Sequence, residues 1–159
     1  MLAYCHNPIH CILPPYILEK MSQSTDAKLR KRAIDAIEAA AAMRAQRFTL
    51  AKLPTMSAIP SPGGKKHRLV YDAKHGSMWS LPGKLVREEG DKKAKDAAVN
   101  EAYNYSGDVY DFYQTVFSRN SLDDKGMSLI SSVHLGNKFN NAFWNGEQMA
   151  YGDGDGSLF

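Results

Sequence analysis

A stretch rich in proline and glycine, residues 52–66, divides this chain of 159 residues into two parts of different composition. The residues in it that disfavour regular structure are Pro54, Pro60, Pro62, Gly63 and Gly64. The stretch also lacks the apolar periodicity of a helix or a strand. We therefore place a boundary here and expect an exposed linker, the kind of segment in which proteolytic nicking concentrates.

The part before the boundary is predicted to be helical. Pro14-Pro15 favours a short helix over residues 16–21, because proline is tolerated in a first helical turn. A longer helix is expected to follow, with Ser24 or Thr25 as its N-cap, and to end at about Arg47. Its apolar residues recur at helical spacing: Leu29, Ala33, Ile37, Ala40 and Ala41. A helix so rich in alanine buries little surface, so it needs a partner to pack against.

The part after the boundary is predicted to combine strands with one helix, which assigns the whole chain to the α+β class. Strand character is found at residues 67–71, 127–135 and 140–144. A helix is expected over residues 94–117, because apolar groups recur on one of its faces. They are Ala98, Ala102, Tyr105, Val109, Phe112 and Val116.

The distribution of charge is more informative than the formal net charge of +3. Lys and Arg exceed Asp and Glu by seven to four in residues 1–50 and by ten to five in residues 51–100, whereas residues 101–159 have three against eight. Two interpretations have equal weight: attraction between the two halves of the chain, or solvated faces of unrelated sign.

Cysteine content and hydropathy exclude two classes of protein. The two cysteines cannot form the disulfide framework of a small secreted domain. No stretch approaches the roughly 18 apolar residues of a membrane span, and no signal peptide is evident. We expect no membrane partner and a cytoplasmic or unconventionally secreted protein.

Residues 140–144 carry the chemistry that bears most on function. An Asn side chain offers a donor and an acceptor, which match the two polar groups of a peptide backbone. An exposed edge strand can pair with an extended peptide, so these residues are candidates for peptide binding. An ordinary half-buried strand is the alternative, and the residues alone favour it. The Gly/Asp run at 152–156 lacks the later Glu of a calcium loop, so a tight turn is expected.

The order and spacing of several motifs resemble those of thermolysin-type zinc metalloendopeptidases. They are residues 140–146 followed by Met149, Tyr151 and residues 152–156, with Tyr71-Asp72-Ala73, Leu81-Pro82-Gly83, residues 109–113, Arg119-Asn120-Ser121 and Ser132-Val133-His134 upstream. The resemblance covers about residues 67–159 and implies the β-rich N-terminal lobe of that family. It implies substrate binding by Asn141 through its side chain and by Ala142 through its main chain. Phe143 and Trp144 are supporting positions in or beside the cleft.

The first part of the chain is similar to the short propeptides of protealysin-like precursors. The similarity rests on residues 14–18, on the basic helix and on residues 66–72. It implies a helical inhibitory propeptide at residues 1–55, a linker or processing region at 56–66, and the lobe at 67–159.

Pro14, Pro15 and Tyr16 are then expected to lie against the substrate cleft as part of the inhibitory segment. A turn that only opens a helix is the alternative.

Four residues of zinc-binding types lie close together near the N-terminus: Cys5, His6, His10 and Cys11. They form two adjacent pairs, and neighbouring residues seldom point at one metal ion. Their spacing matches no zinc-finger pattern, so an independent zinc site is disfavoured. A role in blocking the zinc of a full-length precursor stays open.

The sequence lacks the H-E-x-x-H motif with which this family holds zinc and activates water. The remaining histidines, His67, His75 and His134, are expected to lie apart and to have structural or solvated roles. We expect no catalytic residue, no metal ligand and no cleavage activity in this chain, as in a precursor truncated before its catalytic helix. The resemblance implies zinc, with calcium as a further candidate, for the full-length family enzyme.

The expected partners are peptide or protein substrates, together with the missing C-terminal lobe or a related peptidase. Family members are often extracellular. A stand-alone inhibitor or decoy of related peptidases is the alternative function. Nucleic-acid binding by the basic helix is disfavoured, because no nucleic-acid motif accompanies it and the C-terminal segment is acidic.

Overall fold

The computed structural model describes residues 15–50 and 59–156, except for the side chains of residues 43, 44 and 46–50. The helices are α1 (Pro15–Ser22), α2 (Ala27–Leu50) and α3 (Ala97–Phe117), and short 3-10 turns occur at Pro62–Gly64 and Met78–Ser80. The strands are β1 (Arg68–Asp72), β2 (Lys84–Glu88), β3 (Leu129–Val133), β4 (Ala142–Trp144) and β5 (Met149–Tyr151). The predicted α+β class is confirmed.

Helices α1 and α2 pack against each other as a helical hairpin. Leu18 of α1 is buried, and α2 contributes the buried small residues Ala33, Ala36 and Ala40. Small side chains let two helices approach closely, but each removes little apolar surface from water. The hairpin is therefore held by modest burial.

Asp26 caps the N-terminus of α2, so the prediction of Ser24 or Thr25 as the N-cap was wrong. One carboxylate oxygen of Asp26 accepts from the backbone N–H groups of Lys28 at 2.8 Å and Leu29 at 3.4 Å. The hydroxyl of Ser24 instead accepts from the backbone N–H of Asp26 at 3.2 Å. A carboxylate suits this position because it also interacts favourably with the positive end of the helix dipole.

The strands form a five-stranded sheet in the order β2-β1-β3-β5-β4. Strand β1 pairs parallel with β3, and β3 pairs parallel with β5. The outer strands β2 and β4 each pair antiparallel with their single neighbour. Strand β4, which lies within the predicted strand 140–144, is therefore an edge strand among the described residues.

Helix α3 packs on the sheet through Val99 and Tyr103, which form one core cluster with Val70 and Val133. A second cluster consists of Ala73, Leu135, Phe143 and Ala150. The helix begins at Ala97, three residues after the predicted start at residue 94, and the Asp96 side chain is its N-cap.

The face that led to the prediction of α3 is only partly the face that packs. Ala98 and Ala102 lie against the core. Tyr105, Val109, Phe112 and Val116 are each more than half exposed. The packed stripe runs instead through Val99, Tyr103 and Gly107, which are buried. Helical periodicity shows that an apolar face exists, but the neighbouring elements decide how much of it is covered.

The expected linker is fastened to the lobe at its C-terminal end. The backbone N–H of Ser61 donates to Gly126 at 2.8 Å, and that of Ser128 donates to Ile59 at 2.8 Å. Pro60 forms an isolated antiparallel bridge with Met127. These contacts do not decide the predicted domain boundaries, which stay predictions, and residues 51–58 lie outside the described residues.

Candidate functional site

Within the described residues, the outer edge of β4 is not paired with another strand. The backbone N–H of Gly152 donates to the carbonyl of Asn141 at 3.0 Å, and Ala142 lies opposite Tyr151. In an antiparallel pair, positions that bond to the neighbouring strand alternate with positions that do not. The main-chain groups of Ala142 therefore face away from β5. An extended peptide can bind along such an edge.

The side chain of Asn141 lies beside this edge. Its Oδ1 accepts from the backbone N–H of Ala142 at 2.8 Å. Both residues are buried in this structure. The amide group thus satisfies the outward donor of Ala142 from within the chain.

A hydrogen-bonded pair of loops supports the start of β4. The side chain of Asn140 accepts from the backbone N–H of Asp155 at 2.8 Å and donates to its carboxylate at 2.9 Å. The backbone N–H of Gly154 donates to the carbonyl of Phe139 at 3.1 Å. A side chain at Gly152 would collide with the Phe139 carbonyl, so glycine is needed where these loops meet.

Phe143 and Trp144 differ in their surroundings. Phe143 is 2% exposed and belongs to the core cluster with Ala73, Leu135 and Ala150. Its side chain therefore supports β4 from the core. Trp144 is partly exposed at the end of the strand. The substrate-binding roles of Asn141, Ala142, Phe143 and Trp144 stay predictions.

A family model for the catalytic domain of thermolysin metallopeptidases matches residues 61–159. This chain belongs to the thermolysin metallopeptidase family. It is 40% identical over 154 residues to an extracellular metalloprotease of Pectobacterium carotovorum subsp. carotovorum, a match that covers 96% of the chain and 42% of that protein. It is 39% identical over 159 residues to protease PrtS of Photorhabdus sp. (strain Az29), which covers 97% of the chain and 41% of that protein.

The precursor of protealysin, a metalloproteinase from Serratia proteamaculans, has a similar solved structure. The TM-score is 0.72 at 39% identity, and the match covers 92% of this chain and 39% of that chain. A match of this extent includes helical residues before position 61 as well as the lobe. The resemblance to protealysin-like precursors is confirmed, and the chain spans about two fifths of the length of these relatives.

Of the three residues predicted to form the inhibitory segment, the structure describes Pro15 and Tyr16. Pro15 and Tyr16 open α1, and the Tyr16 ring is 62% exposed. Pro14 lies outside the described residues, as do Cys5, His6, His10 and Cys11. The inhibitory role of Pro14, Pro15 and Tyr16 stays a prediction.

Two of the histidines that were expected to lie apart belong to one cluster. Nε2 of His134 lies 2.8 Å from a carboxylate oxygen of Asp96, and its Nδ1 lies 2.7 Å from Asp153. Nδ1 of His75 lies 3.4 Å from the other oxygen of Asp153, and the two imidazole rings are 5.8 Å apart. The expectation was wrong because the partners of His134 come from distant parts of the sequence.

The cluster favours the charged form of His134. Burial of the ring opposes protonation, but hydrogen bonds to Asp96 and Asp153 outweigh it and raise the pKa of His134 above its ordinary value of 6.5. The same imidazole joins the N-cap of α3 to the loop after β5. These two contacts indicate that His134 holds the start of α3 and the loop after β5 together.

The third histidine, His67, lies between β1 and its neighbours. Its Nδ1 is 2.9 Å from the hydroxyl of Ser128, and its Nε2 is 3.3 Å from Glu88. It therefore ties the start of β1 to β2 and β3. This is the structural role that was expected for it.

The described residues contain neither a metal-binding cluster nor a membrane-spanning helix. Within residues 15–50 and 59–156, no group of three or more His, Cys, Asp or Glu side chains is arranged to hold a metal ion. No helix in the part of the chain that the structure describes is long and apolar enough to cross a membrane.

Proposed function

We propose that this chain is the N-terminal portion of a zinc-dependent metalloendopeptidase, made of a helical propeptide and a substrate-binding lobe. The complete enzyme would cleave internal peptide bonds of proteins, with a preference for a bulky apolar residue after the cut. The observation that carries the proposal is strand β4, whose outward main chain at Ala142 lies beside the Asn141 amide.

The lobe contributes substrate alignment to this activity. The carbonyl of Ala142 accepts from an N–H of an extended peptide, and the Asn141 amide supplies one donor and one acceptor. For this, Asn141 exchanges its hydrogen bond with Ala142 for bonds to the peptide. Alignment of the peptide along β4 brings the bond to be cleaved to a defined position.

Zinc is the metal implied by the family, and it would activate the attacking water in the complete enzyme. The described residues do not fit a zinc site, because they hold no group of three suitable ligands. The 159 residues also contain no H-E-x-x-H. We therefore assign no catalytic step to this chain and expect the purified chain to show no chelator-sensitive cleavage of casein.

The helical segment is proposed to keep the enzyme latent. The similarity to the protealysin precursor supports this role, because the match extends into the helices. We propose that the complete enzyme is exported from the cell, since one relative is named as an extracellular metalloprotease.

A peptide titration followed by NMR tests the substrate-binding role. An extended peptide with one bulky apolar side chain should shift the amide signals of residues 141–144. Asn141→Ala should weaken peptide binding about tenfold. This is the effect of losing hydrogen bonds between uncharged groups that contribute about 1.4 kcal/mol in total. The matched control is Asn104→Ala, since Asn104 is exposed on α3.

A second variant tests the inhibitory segment. Replacing Pro14, Pro15 and Tyr16 together by Ala should strengthen peptide binding, because the segment would no longer compete for β4.

Equal peptide affinity of the Asn141→Ala and Asn104→Ala variants, or amide signal shifts that do not involve β4, would show that β4 is not the binding strand.

A further inference from the structure

An ion pair with a buried carboxylate connects α2 to the lobe beside the candidate site. Nε of Arg32 lies 2.9 Å from a carboxylate oxygen of Asp155. The Asp155 side chain is 1% exposed, whereas the Arg32 side chain is 35% exposed. A buried carboxylate lowers stability unless it is paired and hydrogen-bonded. The Asp155 carboxylate has both kinds of partner: Arg32 of α2 and Asn140 of the lobe.

The lobe holds the Asp155 carboxylate in place by its own residues. Asn140 donates to the carboxylate, and the backbone N–H of Asp155 donates to Asn140. The backbone bond from Gly154 to Phe139 fixes the same loop. The acceptor is therefore pre-organised on the lobe before α2 arrives.

The part of α2 that lies beside the Asp155 carboxylate is rich in basic residues. The cleft between α2 and the loop at residues 137–140 has a volume of about 410 Å³. The α2 residues that line it are Lys28, Lys31, Arg32, Asp35 and Ala36. Lys31 pairs with Asp35 of the same helix at 3.0 Å, which leaves Arg32 as the α2 residue paired across the cleft in the described contacts.

We infer that Asp155 is the docking site of the lobe for the helical segment, and that Arg32 is the residue it recognises. Breaking this pair releases α1 and α2 from the lobe while the lobe stays folded. The inference rests on the proposed function in one respect: if the segment is a propeptide, this pair controls its release.

The position of the pair links docking to the candidate site. Asn140, which binds Asp155, directly precedes Asn141 in the chain. Arg32, Asp155 and Asn140 thus form a connected network that ends one residue before the proposed peptide-binding edge. Docking of α2 therefore also steadies the start of β4.

Hydrogen exchange of the full 159-residue chain tests the inference. Arg32→Gln should raise the exchange rates of α1 and α2 amides at least tenfold, as expected for loss of a hydrogen bond between charged groups. Amides of β3 and α3 should keep their rates. Arg30→Gln is the matched control, because Arg30 has the same charge on the same helix and binds the Ser24 carbonyl within the helical segment.

A second variant removes the charge from the other side. Asp155→Asn keeps an acceptor for Asn140 and should also accelerate exchange in α1 and α2 alone. The double variant should add little to either single change, since both remove the same interaction.

Two results would overturn the inference. In the first, Arg32→Gln leaves α2 exchange within twofold of Arg30→Gln. In the second, β3 and α3 accelerate as much as α2, which would make the pair a general support of the fold. Neither result depends on peptide binding, so failure of the docking site and failure of the proposed function are distinguishable.

Discussion

Helices α2 and α3 are the two long helices of the described structure, and different kinds of contact hold each of them to the β-sheet lobe. Helix α3 buries the large side chains of Val99 and Tyr103 against the sheet. Helix α2 buries alanines at positions 33, 36 and 40 and reaches the lobe through Arg32. Large buried side chains contribute far more apolar area than alanines do.

Helix α3 is also held by two arginines of the sheet. The guanidinium groups of Arg68 and Arg87 lie 3.7 and 3.6 Å from the centre of the Tyr103 ring. Arg68 also pairs with Glu89. Helix α3 is thus connected to β1 and β2 by large side chains, whereas among the described contacts α2 contributes small buried residues and the ion pair of Arg32 with Asp155.

The largest expected effect comes from truncating the core of α3. Tyr103→Ala should lower the free energy of unfolding by about 3–5 kcal/mol, the usual cost of removing a large buried aromatic side chain. Ala33→Gly, at a fully buried position of α2, should cost about 1 kcal/mol through helix propensity. Chemical denaturation followed by near-UV circular dichroism measures both. Equal losses of stability for the two variants would show that α2 and α3 are held to the protein equally strongly.

The two N-caps should differ by a smaller amount. Asp96→Ala should cost about 1 kcal/mol, because it removes the α3 cap. It also removes the partner of His134. Asp26→Ala should cost less, since Asp26 is exposed and caps the helix that we propose to be detachable. Asp96→Asn is the control, because Asn also caps helices but carries no charge for His134. If it loses as much stability as Asp96→Ala, the cap is not the source of the effect.

The smallest expected effect is a pH dependence confined to the α3 side. The raised pKa of His134 means that its contribution is complete below its ordinary value of 6.5 and is lost as pH rises through the folded value. The groups that face this ring are Asp96, Asp153 and His75, with Glu101 lining the adjacent cleft.

Asp96 acts in the opposite direction. Burial favours its neutral form, but hydrogen bonds from His134 and from the backbone of Val99 outweigh burial and lower its pKa below 3.8. Its contribution is present above pH 3.8 and is lost as pH falls through the folded value. Stability measured by denaturation should therefore be highest between these limits. His134→Gln should flatten the decline above pH 6.5, and an unchanged decline in that variant would assign it to another group.

Much of the fold was predictable from local sequence. The three helices of the described structure were expected, as were strands that contain β3 and β4 and one that covers β1 except for Asp72. Strands β2 and β5 were missed. Four of the five residues of β2 are exposed, and β5 has only three residues, so neither gives a clear alternating pattern.

The candidate site was less accessible to such reasoning. Family resemblance indicated Asn141 and Ala142, whereas amide chemistry alone left an ordinary strand as the better interpretation. The cluster around His134 was missed because Asp153 and Asp96 lie 19 and 38 residues away in the chain. Separations of that size carry no periodic signal.

The sequence alone was enough to predict the three described helices and the membership of the thermolysin family, whereas the boundary near residues 52–66 stays a prediction. These features depend on neighbours within one or two turns, or on motifs that can be compared directly. Only the tertiary structure decided that β4 is an edge among the described strands, that four of the six predicted apolar residues of α3 are exposed, and that Arg32 contacts Asp155. The physical reason is that strand order, burial and ion pairing depend on the path of the whole chain, which brings together groups with no local relation.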